Sequence, residues 1–458
     1  GVHLLGDGPC EANVNRLDMN IVPMLAHMMR HGMQIDPSHF VKMQTDLTRD
    51  MERVTEEVKG LTGYYVNLNS GDQVADLLFK KLGLKQARAK MTKSGDRESV
   101  EDEVLKAIQH DHPVVPLIQD FKEYSKLKGT YAEPIPKLAR RVGHGEWRLF
   151  PNLGHTRVPS GRLNAKSPNI LAMPNRTERG REIRNGFITW PGWRILSVDF
   201  SQIEVRMAAH CSQDPNLMTV YENEEDVYSD FATTAFALDD ERFQDDSGWH
   251  YPTVDKQGHR FPAKTCILAS IYEVTAGGLL EQMPVICKNC HKPAMQHDCA
   301  KFVPMWNENN CQSLINAFYM KYAGVLRDRK RYHRMMREYG YVWDIWGRIL
   351  HVAAVYSVLE WVVSQALREG ANEPYQGGAA GCIKLSMAEI HDDFTMAKMF
   401  DVVHPLLQIH DELLFEVKES ALGDVQAHVI HVFENCVRLN VPIRASGADA
   451  ESWGAIKK

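Results

Sequence analysis

The chain has 458 residues, 44% of them hydrophobic and 24% charged, with a formal charge of −6. That length exceeds one ordinary core and predicts two to four subdomains, and a composition without low-complexity tracts or repeats marks a globular protein. No run approaches the ~18 apolar residues of a membrane span, so no membrane partner is expected.

The negative charge argues weakly against a nucleic-acid partner, but net charge is a sum, and the placement of the basic residues decides. Cys10, Cys211, Cys266, Cys311, Cys382 and Cys436 are scattered and form no disulfide framework, which points to a reducing, intracellular setting. The chain opens on Gly1 rather than a methionine, as expected of a portion of something longer.

In chain order, residues 14–59 read as helices interrupted at "HGMQIDP" (31–37) by Gly32 and Pro37. In "NLNSGDQVADLLFKKLGL" (67–84), Ser70 caps a helix with apolar Val74, Leu77 and Leu78, and Gly83 closes it. A basic, glycine-containing loop is predicted at 85–98, then helix from about 99 to 129. Residues 145–200 alternate between short strands and turns. Helical patterns return at 202–240, 260–282, 308–339, 357–370, 379–400 and 422–438. Strands are predicted around 406–417 and near 441–449. Long helices around a small sheet make an α+β protein.

Two stretches place carboxylates at strand ends. In "LLQIHDELLFEV" (406–417), two β-prone runs flank His410, Asp411 and Glu412 without the Asn-Gly, Asp-Gly or Pro of an ordinary hairpin turn. In "WRILSVDFSQIEVRMAAH" (193–210), the strand Ile195–Val198 delivers Asp199 before the pattern turns helical. Each aspartate alone could be a turn residue. A pair meeting across neighbouring strands could not both ionise cheaply without a cation between them. Two magnesium ions about 3.5–4 Å apart would clamp the attacking and leaving oxygens of a phosphoryl transfer.

Between them, "RFPAKTCILASIY" (260–272) sets Arg260, Lys264, Leu268 and Tyr272 four residues apart on one helix face. Such a face is either a solvated surface or a grip for an anionic triphosphate, with an aromatic ring that stacks on a base.

Together these segments resemble the polymerase portion of a family A DNA polymerase, the bacterial DNA polymerase I type. "DFSQIEVR" (199–206), R-x3-K-x7-Y (260–272) and "HDE" (410–412) match the family's three motifs in order. "SGRLNAKSPNILAMP" (160–174), "REIRNGFI" (181–188), "NEPYQGGAAGCIK" (372–384) and "KLKGTY" (126–131) are similar to family segments as well.

The resemblance implies a right hand: a palm with an antiparallel sheet, helical fingers and a helical thumb. Residues 1–30 would begin the palm or link to it, 31–130 would be the thumb, 131–212 and 341–458 the palm, and 213–340 the fingers. It implies a DNA-directed DNA polymerase acting on primer–template DNA and deoxynucleoside triphosphates, as a monomer in the cytoplasm of a bacterial or virus-infected cell, or in an organelle. By similarity, Asp199 and Asp411 ligate two magnesium ions, with Glu412 an outer carboxylate. Arg260 and Lys264 hold the triphosphate, and Lys264 protonates the leaving pyrophosphate. Glu204 fills the space of a ribose 2′-hydroxyl, while Gln202, Leu268 and Tyr272 line the nucleotide. Arg162, Asn372 and Gln376 test the minor groove, Arg176 approaches the backbone, and His410 touches the primer terminus.

Four positions depart from the family. Leu268 replaces a Phe or Tyr, which predicts discrimination against dideoxynucleotides. Glu273 replaces a common glycine, and Tyr228 stands where many members have a phosphate-binding histidine. "CKNCHKPAMQHDC" (287–299) is an insertion in which Cys287, Cys290, His297 and Cys299 have the spacing of a structural zinc site. The alternative there is a polar loop with reduced cysteines, and His291 is a competing ligand.

Overall fold

A computed structural model describes residues 8–85, 99–109, 111–174, 177–236, 243–245, 248–250, 254, 258–283, 286–287, 302–303 and 306–457. Its centre is a four-stranded antiparallel sheet of β1 (Trp193–Phe200), β2 (Val403–Ile409), β3 (Glu412–Lys418) and β4 (Ala445–Ala450), in the order β2-β3-β1-β4. Alternation divides its faces. Leu196, Val198, Phe200, Leu413, Phe415 and Val417 are buried on one. They meet the helices α8 (Glu360–Met396) and α9 (Leu422–Asn435), with Phe415 against Phe394 and Phe200 against Phe433 at ring separations of 6.2 and 4.4 Å. The other face carries Ser197, Asp199, Glu412 and Glu416, in register as the pairs Ser197↔Leu414 and Asp199↔Glu412.

Towards the N-terminus, α1 (Val22–His31) packs on β2, and the short strand Met33–Ile35 fills the predicted interruption. Helix α2 (Pro37–Thr62) follows, capped by Asp36, which accepts from the Ser38 N–H at 2.9 Å. Its Phe40, Met43 and Leu47 belong to the main core, whereas Val54 and Val58 join a second core with Val74, Leu77, Leu78, Leu105, Val115 and Ile118. Asp50, almost fully buried between the two sets, accepts from the Arg179 guanidinium. The second core also takes in α3 (Val114–Leu127). Ser70 caps as predicted, accepting from Gln73 N–H.

Several predicted helices are shorter. The 99–129 segment divides into Asp102–Ala107 and α3 around Pro113. The 202–240 segment becomes α4 (Ile203–Ser212), Pro215–Glu222 and α5 (Val227–Ala235), because Gln213 takes a left-handed φ of 50° and Asp214 and Asp226 cap new helices. The 260–282 segment breaks after α6 (Arg260–Ile271) at Glu273, where φ is 51°. The 308–339 segment becomes Glu308–Lys321 and α7 (Ala323–Tyr339).

One difference runs the other way. The predicted gap between 370 and 379 does not exist: α8 passes through Pro374 and its glycines unbroken. The glycines are there for close approach. A Cβ at Gly381 would stand 1.9 Å from Trp346 Nε1, and one at Gly378 2.7 Å from Met207 Sδ. Burial on nearly every side outweighs the low helix propensity.

Candidate active site

The hairpin β2–β3 turns in two residues, His410 and Asp411, since Ile409 pairs with Glu412. His410 supplies the positive φ, 55°, that a two-residue turn demands and that a glycine normally supplies. The turn is fastened to the neighbouring strand, where Phe200 N–H donates to the Asp411 carbonyl at 3.2 Å. Asp199 and Asp411 thus stand side by side at one end of the sheet, both partly exposed. Glu412, directly opposite Asp199, is buried and accepts a short hydrogen bond from the Ser197 hydroxyl. One carboxylate is therefore buried and hydrogen-bonded, while its two neighbours belong to partly exposed residues.

Helix α6 supplies the basic face as predicted. The guanidinium of Arg260 makes a bidentate pair with Asp226, Nε and Nη2 each donating at 2.9 Å. Beneath it lies the ring of Tyr228, 5.2 Å from the Arg260 guanidinium carbon and 5.5 Å from Lys264 Nζ. Both cations lie within cation–π range of the one ring. Burial, followed by the negative charge of Asp226, pushes the Tyr228 phenol well above its ordinary range, so it remains neutral. Gln202 donates to Asp226 at 3.1 Å and accepts from the Tyr221 hydroxyl at 3.0 Å.

At the other end of α6, the Tyr272 hydroxyl donates to Glu204, which also accepts from Arg162. Gln376 shares a hydrogen bond with the same phenol. Burial and the Glu204 charge push the Tyr272 phenol far up. Desolvation, reinforced by the Arg162 charge, holds the His410 imidazole below its ordinary value. Arg162, Glu204, Tyr272 and Gln376, drawn from distant parts of the chain, form one polar network, with His410 in its field. Leu268 is partly buried one turn before Tyr272 and packs on the main core.

Asn372 is held from behind. Arg329 of α7, with no exposed side-chain surface, donates to Asn372 Oδ1 and to the Ala371 carbonyl, both at 2.9 Å. Its Nε lies 3.2 Å from Glu273 Oε1, and His333 Nε2 is 2.9 Å from the other oxygen of that carboxylate. The departure at Glu273 thus places an anion beside a buried guanidinium.

Sequence reasoning passed over Asp226, Arg329 and Ser197. Asp226 carries only the signature of a helix cap, and neither of the others has a local pattern that marks it. Arg176 lies outside the described residues, as do the side chain of Cys287 and the whole of Cys290, His297 and Cys299.

A four-stranded antiparallel sheet with carboxylates at one end, surrounded by helices, one of them basic and tied through Tyr272 to Glu204, has the make-up of the right-hand fold of nucleic-acid polymerases. The chain belongs to DNA polymerase family A, whose model matches residues 37–455. It is 32% identical over 431 residues to the thermostable DNA polymerase I of Thermus filiformis, covering 94% of this chain and 47% of that one. It is 30% identical over 438 residues to the enzyme of Thermus aquaticus, covering 95% and 47%. The chain therefore spans about half the length of these curated relatives. A solved structure, the POL domain of Pol1 from M. smegmatis in complex with DNA primer-template and dNTP, matches with a TM-score of 0.80 at 25% identity. The match covers 96% of this chain and 70% of that one. No described helix is long and apolar enough to cross a membrane.

Proposed function

We propose that the chain is a DNA-directed DNA polymerase, adding deoxynucleotides to a primer 3′-hydroxyl on a DNA template in replication or repair. The observation that carries this reading is the juxtaposition of Asp199 and Asp411 at the open end of the sheet.

The donor set suits magnesium: two hard, partly exposed aspartates, one with a buried carboxylate oxygen, backed by a third carboxylate that is buried and hydrogen-bonded. When bound, two such ions would supply charge neutralisation at the α-phosphate and a more acidic primer hydroxyl. The chain's own groups do the rest. Arg260 and Lys264 grip the triphosphate, and Lys264, exposed on α6, delivers a proton to the departing pyrophosphate. Glu204 occupies the place of a ribose 2′-hydroxyl. Tyr272 has to leave its bond to Glu204 for the ring to stack on an incoming pair, which couples motion of α6 to the arrival of substrate. Arg162, Gln376 and Asn372 read purine N3 and pyrimidine O2 acceptors, which test pair geometry without reading sequence.

In this reading residues 31–130 form the thumb, and the separate second core supports that division. Residues 213–340 form the fingers, and 131–212 with 341–458 the palm. The bacterial relatives favour a cytoplasmic setting.

Primer extension with deoxy- and ribonucleotides supplied separately tests the proposal. Wild type should extend with deoxynucleotides in the presence of magnesium, and Asp199→Ala should lose extension by orders of magnitude while still binding primer–template. Full activity in Asp199→Ala would overturn the assignment, and equal use of ribonucleotides would overturn the role of Glu204.

A further inference from the structure

At the far end of the polar sheet face stands a cluster that the polymerase reading leaves unused. His27 and His31 lie one turn apart on α1, and His404 is the second residue of β2. One ring nitrogen from each lies within 4.8 Å of those of the other two. We propose that His27, His31 and His404 bind a transition-metal dication, zinc by preference, which clamps α1 to the sheet.

One of the three pairs has the spacing of a coordination sphere, while His31 stacks on His404 with ring centroids 3.9 Å apart and 20° between planes, so the His31 ring has to turn to converge on the ion. His27 Nε2 and His404 Nδ1 are 3.3 Å apart. A tetrahedral ion with Zn–N bonds of ~2.0–2.1 Å spaces its ligands roughly 3.3–3.4 Å apart, so both nitrogens sit at one edge of such a tetrahedron. Two histidines at i and i+4 on a helix with a third from a neighbouring strand make a soft, all-nitrogen set. That set selects zinc, copper or nickel over magnesium.

The surroundings prepare it. His31 Nε2 is 2.8 Å from the carboxylate of Glu416, which is His404's direct cross-strand partner. A ring that gives its N–H to a carboxylate keeps the other nitrogen's lone pair for a metal, the usual second layer around metal-bound histidine. Arg148 Nη2 lies equally close to that ring, but its charge is matched by Glu416 at 2.8 Å. Trp193 stacks on His404 with ring centroids 5.7 Å apart, and Phe400 packs on His27 at 4.5 Å, limiting ring rotation. The fourth position is left to water.

Such an ion would join residues 377 positions apart, so it should stabilise the fold more than the chemistry. The test uses the full chain carrying Cys287→Ser, Cys290→Ser and Cys299→Ser, which removes the three thiolates of the cysteine-rich segment, with magnesium in excess to fill the acidic site. After chelator stripping, zinc is titrated by calorimetry and cobalt by visible absorption. The expected result is one equivalent of each, cobalt bands without sulfur charge transfer, and a raised unfolding temperature with zinc. His27→Asn and His404→Asn should each weaken zinc by roughly tenfold or more, while Asp199→Asn leaves it unchanged. His27→Asn changes a helix residue and keeps the test valid if His404→Asn misfolds. Failure to bind zinc, or affinity unmoved by both histidine substitutions, would overturn the proposal.

Discussion

Replacing Glu273 separates two accounts of a residue that stands where the family commonly has glycine. If it were merely a solvated residue in a left-handed backbone, Glu273→Gly would relieve strain and stabilise the protein. The φ of 51° means that any side chain there costs about 1–2 kcal/mol relative to glycine. The structure predicts the opposite sign. Arg329 has no exposed side-chain surface and Glu273 only 16%. Stripping one partner from a buried ion pair costs about 3–5 kcal/mol, because the other charge stays behind. With Glu273 partly exposed and shared with His333, the lower end applies, about 3 kcal/mol for Glu273→Ala. Glu273→Gly recovers about 1 kcal/mol of that through its backbone, so the expected order of stability is wild type, then Gly, then Ala.

Urea unfolding of the three proteins reads this directly, and Glu273→Gly matching or exceeding wild type would refute the reasoning. A pH series adds a second check. Burial pushes the Glu273 carboxyl up, but the His333 hydrogen bond and the Arg329 charge outweigh it and hold it below its ordinary 4.5. A depressed folded pKa contributes stability above the unfolded value and loses it as pH falls through the folded one. The gap between wild type and Glu273→Gln should therefore be full at neutral pH and close in acid. Because Arg329 also holds Asn372, these variants should extend mismatched primers more readily.

Glu373 has the opposite linkage: burial and the neighbouring Asp344 raise its carboxyl to about 7. Its contribution is favourable below the unfolded value near 4.5 and is lost as pH rises to about 7. Glu373→Gln should thus gain about 2.5 kcal/mol on wild type between pH 5 and pH 8, measured by urea unfolding; a pH-independent difference refutes this. Leu268→Tyr should narrow the preference for deoxy- over dideoxynucleotides by roughly tenfold, the worth of one hydrogen bond, in competitive primer extension. Wild type incorporating both equally would sink that expectation. Asp226→Asn keeps a capping side chain but loosens Arg260, so KM for the nucleotide should fall by up to about fivefold, as expected for an exposed pair. An unchanged KM would show that Asp226 does not compete with the triphosphate.

What could be read in advance was what local pattern encodes. The strand ends at Asp199 and Asp411, the four-residue repeat of Arg260, Lys264, Leu268 and Tyr272, and the Ser70 cap all lie in short windows, and the structure places them on the expected elements. The partition of the long helical segments was less legible. Left-handed residues such as Gln213 and Glu273 are neither glycine nor asparagine, and nothing in their identity announces a break. At 371–378 the error had the opposite cause. Pro374 and paired glycines are breakers by propensity, yet the close approach of Met207 and Trp346 makes a continuous helix the better solution. Long-range partners, such as Arg329 behind Asn372, have no local signal at all.

The polar face of the sheet shows why carboxylates of one type do different work. Glu412 and Glu416 lie on the same strand and the same face, ~13 Å apart at strand rise. Glu416 is sealed under α1, and although burial opposes it, the hydrogen bond from His31 and the Arg148 charge hold it ionised. Asp199 and Asp411, at the other end, stay partly exposed. The fixed guanidinium of Arg148 thus matches the carboxylate at one end of the face. A two-residue turn built on His410 is what sets that second end: a longer loop would free Asp411 from Phe200 and separate the pair. Inserting one glycine between His410 and Asp411 should therefore abolish primer extension while leaving Glu416, His31 and the fold in place, whereas an active insertion variant would show that the turn does not position the aspartate.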